Sequence, residues 1–204
     1  MRLMDQNRIT LGGAGVVLLV VAALLSGCGG GSSTTTATEA ASTEAMTASP
    51  DGELLDKVLA RQEGAVAAYA AVIPHLSPRL AHMASYFRAQ EQEHVDAVVK
   101  ALRGIKAPAE ATPEEIDLGE PKTDEERLVF LYKVEGATID EELSAISKLE
   151  APWPRSLLSS TVADQAQHLT LLRQALGAGP LASVPKPFED GTTPPPEGPA
   201  ALAD

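Results

Sequence analysis

Between residues 50 and 178, apolar side chains return every three or four positions in four separate runs. That period lines them along one face of a helix, and such a face is stable only when another covers it. The first run spans 51–73, with Leu55, Leu59, Val66, Ala70 and Ile73 in its stripe. The second opens at Ser77-Pro78, an N-cap followed by proline at the first helical position, and runs to Leu102 with Gly104 as its stop. Its stripe is Leu80, Ala84, Phe87, Val98 and Leu102. The third opens at Thr123-Asp124-Glu125-Glu126, spaced for a capping box, and carries Leu128, Leu131, Ile139, Ile146 and Leu149. Pro152-Trp153-Pro154 then breaks the chain. The fourth run, 154–176, sets Leu158, Thr161, Leu172 and Ala175 on one face before Gly177, which is placed for a C-cap. The chain is 44% hydrophobic but only 3% aromatic, so alanine and leucine, which lose little freedom in a helix, fill most of these positions.

The links within each half are short, which pairs helices 1 and 2 antiparallel, and helices 3 and 4 likewise. The link over 106–122 is long enough to cross the bundle and make helices 2 and 3 parallel. The predicted fold is all-α: an antiparallel four-helix bundle with a long crossover between helices 2 and 3.

Polar residues interrupt every stripe. Helix 2 steps through 80, 84, 87, 91, 94, 98 and 102, and positions 91 and 94 are Glu91 and His94. The same stepping puts Glu63 between Leu59 and Val66, Glu135 between Leu131 and Ile139, and Gln165 and His168 between Thr161 and Leu172. Buried carboxylates without a partner are costly. Arg61, Arg88, Lys100, Arg103, Lys133 and Arg173 all fall off the predicted stripes, so no cation is placed to pair with them. Coordination of a divalent ion is the remaining common solution, with neutral imidazole as a further ligand. The pattern also repeats: Glu63 to Glu91 is 28 residues and Glu135 to Gln165 is 30.

At these positions the chain resembles the ferritin-like superfamily, the di-metal carboxylate bundles with a Glu on helices 1 and 3 and Glu-x-x-His on helices 2 and 4. Glu63, Glu91-Gln92-Glu93-His94 and Glu135 match, and Gln165-Ala166-Gln167-His168 matches in part. More narrowly, the chain is similar to exported bacterial ferritin-like-domain proteins. The resemblance implies two iron or manganese ions. Glu63, Glu91 and His94 would hold one, Glu135, Gln165 and His168 the other, with Glu91 shared. Because an amide bridges poorly, the second ion should bind more weakly. The implied chemistry is redox at the metals, with oxygen or peroxide. The alternative is a non-catalytic envelope module whose metal site is degenerate and whose bundle binds a protein or envelope partner. Tyr69 and Tyr132 are expected at the rim of the core, and His75, His82, Gln92 and Glu93 at the surface. Trp153 is expected to pack its loop onto the bundle.

The N-terminal segment reads as an address. Arg2 and Arg8 precede an apolar stretch, Leu11 to Leu25, too short for a comfortable membrane span. Leu25-Ser26-Gly27-Cys28 resembles the bacterial lipobox, whose cysteine is acylated. The expected organisation is a signal peptide over 1–27, a flexible lipidated tether over 28–49, the bundle over 50–178, and a Pro/Gly-rich tail over 179–204. The domain would then sit on the outer face of the cell membrane. The net charge of -12 includes Arg2, Arg8 and Asp5, so loss of residues 1–27 leaves -13. A surface so acidic repels phosphate backbones and argues against nucleic acid as a partner. The expected partners are the membrane, through the lipid, and a second copy in a homodimer; a tethered N-terminus conflicts with a closed cage. With one cysteine, the chain forms no internal disulfide.

Overall fold

The computed structural model describes residues 49–117, 119–186 and 194. Cys28, the segment 1–27, all of the tether but Ser49, and the tail from residue 187 except Pro194 lie outside the described residues. The described chain forms α1 (Pro50–Val72), a short 3-10 turn (Ile73–His75), α2 (Pro78–Gly104), α3 (Asp124–Ile146) and α4 (Pro152–Ala175). None of these helices is long and apolar enough to cross a membrane.

Local chemistry sets the ends. The Ser49 hydroxyl accepts from Gly52 N at 3.0 Å and caps α1. Thr123 and Glu126 form the reciprocal capping box of α3. Ser77 occupies the N-cap of α2, but its side chain makes no capping bond. Gly177, at φ 99, ends α4: Ala178 N donates to Arg173 O and Gly177 N to Gln174 O, a Schellman closure. α2 closes in the same way, but there Lys106, not Gly104, takes the left-handed conformation at φ 57. α4 has no side-chain cap of its own. Asp51 on α1 instead ties down the two residues just before it, accepting from Glu150 N and Ala151 N at 2.9 and 2.8 Å.

Two cross-links fix the helix directions. Asp51 joins the start of α1 to the start of α4, and Asp124 accepts from Ser77 N, joining the starts of α2 and α3. α2 and α3 therefore run parallel, and the segment between them traverses the bundle. Glu114 docks this crossover on α1: its N–H donates to Ala60 O at 2.9 Å and its carboxylate pairs with Arg61 at 2.7 Å. Gly64 makes the close approach available, because a Cβ there would stand 2.6 Å from the Glu114 carbonyl oxygen.

The core is divided. One apolar cluster contains Tyr69, Val72, Phe87, Leu128, Leu131, Leu169 and Leu172. Another, toward the opposite end, contains Leu55, Leu59, Val98, Leu102, Leu149 and Leu158. At roughly 1.5–3 kcal/mol for each fully buried large apolar side chain, these two layers are the main apolar stabilisation of the fold. Between them lies a polar layer from all four helices.

Several expectations are corrected. α1 is rotated by about one residue relative to the predicted stripe: Gln62, Ala65 and Tyr69 are buried, Ala70 is exposed, and Val66 and Glu63 are half-buried. Trp153 is half-exposed in the first turn of α4 rather than packed. Arg173 is buried, and its guanidinium donates twice to the Tyr132 hydroxyl, at 3.1 and 2.7 Å. Leu181 and Val184 are exposed, so those two tail residues do not cover the bundle.

Candidate metal centre

α2 carries Glu91 and His94 one turn apart, α3 carries Glu135, and α4 carries Gln165 and His168 one turn apart; all five are buried. One ligand atom each from Glu91, Glu135 and His168 lies within 4.8 Å of the others. His168 Nδ1 is 3.1 Å from Glu135 Oε1 and 3.3 Å from Glu91 Oε1, and His94 Nδ1 is 3.6 Å from Glu91 Oε2. Both imidazoles thus turn Nδ1 inward. Their outer nitrogens meet the α2–α4 seam, where His168 Nε2 is 3.0 Å from Gln90 Oε1 and His94 Nε2 is 3.2 Å from Asp164 Oδ2. Phe87 stacks on the His168 ring at 4.2 Å between centroids and fixes its plane. Nε2 of each ring faces an outer acceptor and Nδ1 faces the carboxylates, so a bound cation would take Nδ1, the arrangement typical of a metal-bound histidine.

The donor set suits a divalent cation. Glu91 Oε1 and Oε2, Glu135 Oε2, His94 Nδ1 and both amide atoms of Gln165 are buried without a hydrogen-bond partner. Native cores leave few such atoms, and here they converge from three helices on one layer.

The model of the ferritin-like domain family matches residues 36–178. The chain belongs to that family. This ferritin-like chain is similar in fold to a ferritin-like, diiron-carboxylate protein from Bacillus anthracis str. Ames, at 19% identity over 63% of this chain and 99% of that one, with a TM-score of 0.54. It is also similar to a conserved hypothetical protein from Mycobacterium tuberculosis, at 16% identity over 64% and 92% of the two chains and a TM-score of 0.54. No curated protein matches the sequence significantly.

The ferritin-like bundle departs from the sequence reading at helix 1. Glu63 stands outside the cluster, half-buried; partial burial, and then the nearby Asp56, raise its carboxyl above the ordinary range. The inward position of α1 is Gln62. The reading also missed Glu142, a fully buried acid on α3, seven residues beyond Glu135. Gln62 Nε2 donates to Glu142 Oε1 at 2.6 Å, and Thr161 Oγ1 donates to Glu142 Oε2 at 2.9 Å. Tyr69 is fully buried rather than at the rim, and its hydroxyl donates to Glu135 Oε1.

Electrostatics follow from this packing. Burial raises Glu135, reinforced by the charge of Glu91. Burial also acts to raise Glu91, but the contacts of His168 and His94 outweigh it and hold the carboxylate below its usual range. Burial disfavours a charged His168, yet Glu135 and Glu91 override it and push the imidazole up to about 10. Burial pushes Glu142 up to about 8. Without a metal, then, His168 is itself the cation that the carboxylates hold.

Proposed function

We propose that the protein is a lipid-anchored, extracytoplasmic ferritin-like protein that binds a di-iron or di-manganese centre and reacts with oxygen or peroxide. The observation that carries the metal reading is the convergence of Glu91, Glu135 and His168 with unpartnered atoms of Gln165 and His94 inside the bundle. Glu91, Glu135 and His168 hold the tighter ion in this reading, and Glu91 also faces the weaker one beside His94 and Gln165. Carboxylates with two imidazoles favour iron or manganese over calcium. Bound iron or manganese would supply the one-electron chemistry that no side chain here provides. The chain's own residues position the donors: Gln90 and Asp164 hold the outer imidazole nitrogens, Phe87 fixes the His168 plane, and the two apolar clusters flank the layer on either side. Equilibrium dialysis against Fe(II) without oxygen is expected to give up to two bound ions, one clearly tighter, and Gln165→Glu is expected to tighten the second by restoring a carboxylate. Metal at background in the wild-type chain would reject the reading.

A second reading has one observation in its favour. The His168 imidazolium already offsets the charge of Glu91 and Glu135 without any metal. In that case the bundle is a non-catalytic module for a protein or envelope partner, and the same dialysis experiment separates the two.

The anchoring proposal rests on the basic, apolar and Leu-Ser-Gly-Cys order of residues 1–28. Cells grown with a fatty-acid analogue are expected to label the wild-type chain and not Cys28→Ser. An unlabelled wild type would contradict acylation.

A further inference from the structure

We propose that the end of the bundle carrying Trp153 is a membrane-docking surface, which lays that indole in the anionic headgroup layer of the membrane holding the chain; the inference rests on the anchoring reading above and is independent of any metal. A juxtaposition carries it. Asp51 stands two residues after Ser49, where the chain from Cys28 enters α1. Its carboxylate accepts from Glu150 N and Ala151 N at 2.9 and 2.8 Å, just ahead of Trp153. The point at which an anchor would hold the bundle and the exposed indole therefore share one corner.

Trp153 is the chain's one tryptophan and is 50% exposed, whereas Tyr69, Phe87 and Tyr132 are buried. Its exposure does not come from an untied loop. Pro152 and Pro154 flank it with fixed φ angles, and Pro154 is buried in the first turn of α4. The Arg155 guanidinium donates to the Leu149 carbonyl oxygen, and Asp51 holds the two amides before the helix. The corner is closed by its own hydrogen bonds and packing, with the indole left toward solvent. An apolar ring with a single N–H donor suits the boundary between headgroups and acyl chains, where one side is apolar and the other wet.

Charge fits the same surface. A Cβ on Gly52 would stand 2.9 Å from the Ala107 Cβ, so the end of α2 lies against the start of α1 at this end of the bundle. Over 50–57, 100–110 and 144–159 the chain carries Lys57, Lys100, Arg103, Lys106, Lys148 and Arg155 against Asp51, Glu53, Asp56, Glu110 and Glu150. Six cations to five acids is near balance in a chain of net charge -12, and Asp51 is already occupied by backbone amides. Lysine and arginine beside an anionic leaflet add attraction. Length favours this end over the other. Twenty residues separate Cys28 from Ser49, and a flexible chain of that length spans roughly 25 Å root-mean-square. α1, at 23 residues, is about 35 Å long, so Leu181 and Val184, exposed beyond the end of α4, lie farther off than that average reach. One indole and a few cations bind a membrane weakly alone, but a tether makes the contact intramolecular and raises its effective concentration.

The test is fluorescence of the full chain, made in bacteria and reconstituted into vesicles of phosphatidylcholine and phosphatidylglycerol, with Trp153 as the sole indole. Its emission is expected to be quenched by lipid brominated near the top of the acyl chain and to be sheltered from acrylamide in the water. Both effects are expected to shrink in vesicles of phosphatidylcholine alone, and in the variant Arg103→Glu with Lys148→Glu. A second variant, Trp153→Phe with Tyr86→Trp, moves the reporter along α2 away from the corner; it is expected to be quenched by acrylamide and not by brominated lipid. All four substituted side chains are exposed, so the fold should tolerate the changes. Trp153 open to acrylamide and unquenched by brominated lipid, in a chain that floats with the vesicles, overturns the inference. So does lipid quenching that is equal at the two reporter positions, or that Arg103→Glu with Lys148→Glu leaves unchanged. A chain that does not float with the vesicles rejects the anchoring reading itself, and the inference with it.

Discussion

Replacing Glu91 with alanine is expected to abolish metal loading at both positions. Among the described residues, Glu91 is the carboxylate that approaches the inward Nδ1 of both imidazoles, at 3.3 Å from His168 and 3.6 Å from His94. Its loss removes negative charge from each position at once, and the expected fall in affinity exceeds roughly a hundredfold, beyond what loss of an outer-sphere contact costs. The fold should survive, because the two apolar clusters that carry it do not include Glu91. Circular dichroism of the variant is therefore expected to remain helical while dialysis finds metal at background. Retention equal to wild type would show that the ions, if bound, sit elsewhere.

The second large effect is an unusual dependence of stability on pH in the metal-free chain. His168 lies at about 10 in the fold against 6.5 as an ordinary histidine, so between those values the folded state holds a proton that the unfolded chain has released. Glu142 lies at about 8 against 4.5, with the same sign. Where the folded state binds more protons, stability falls as pH rises. The contribution of His168 is fully present below 6.5 and is lost as pH climbs toward 10, while that of Glu142 is lost between 4.5 and 8. Glu91 acts oppositely: its carboxyl is lowered, so its contribution is lost only as pH falls below the ordinary carboxylate range. The Tm of chelator-treated protein is thus expected to decline steadily from pH 6 to pH 9. Metal must displace the His168 proton, so the stabilisation given by Fe(II) or Mn(II) should grow over that same interval. A Tm that rises with pH in chelator would contradict the placement of His168 between two carboxylates.

Helix existence, order and direction were legible because leucine and phenylalanine mark the stripes of α2, α3 and α4 against polar surroundings. The sequence signal for Glu91, His94, Glu135, Gln165 and His168 was strong for the same reason: each falls a whole number of turns from a large apolar residue. α1 was harder. From Ala65 to Ala71 it holds five alanines, two of them buried and three exposed, so hydrophobicity hardly separates its faces. Stepping four from Leu59 gives Glu63 and stepping three gives Gln62, and the chemistry of a carboxylate favoured the wrong one. Tyr69, fully buried, decides the rotation, but a tyrosine also fits a rim, so its meaning depended on the Glu135 partner that only the packing reveals. Glu142 was visible in principle. The α3 stripe runs from Ile139 to Ile146 in one step of seven, and position 142 is the missing turn between them. It lies outside the Glu-x-x-His pattern, so nothing drew attention to it. The crossover over 106–122 shows the reverse limit: its length was legible, but its docking through Glu114 onto Gly64 and Arg61 depends on one close backbone approach that no periodicity encodes.

The proposed metal-binding function requires a transition-metal ion between Glu91, Glu135 and His168 inside the bundle. Anomalous diffraction from crystals of the full chain grown with Mn(II) or Fe(II), recorded on either side of the metal edge, tests it most directly. A peak is expected within coordination distance of Glu91, Glu135 and His168 Nδ1, with a second, weaker peak toward His94. A difference map without a peak in that layer, with His168 still bonded to both carboxylates, would contradict the claim.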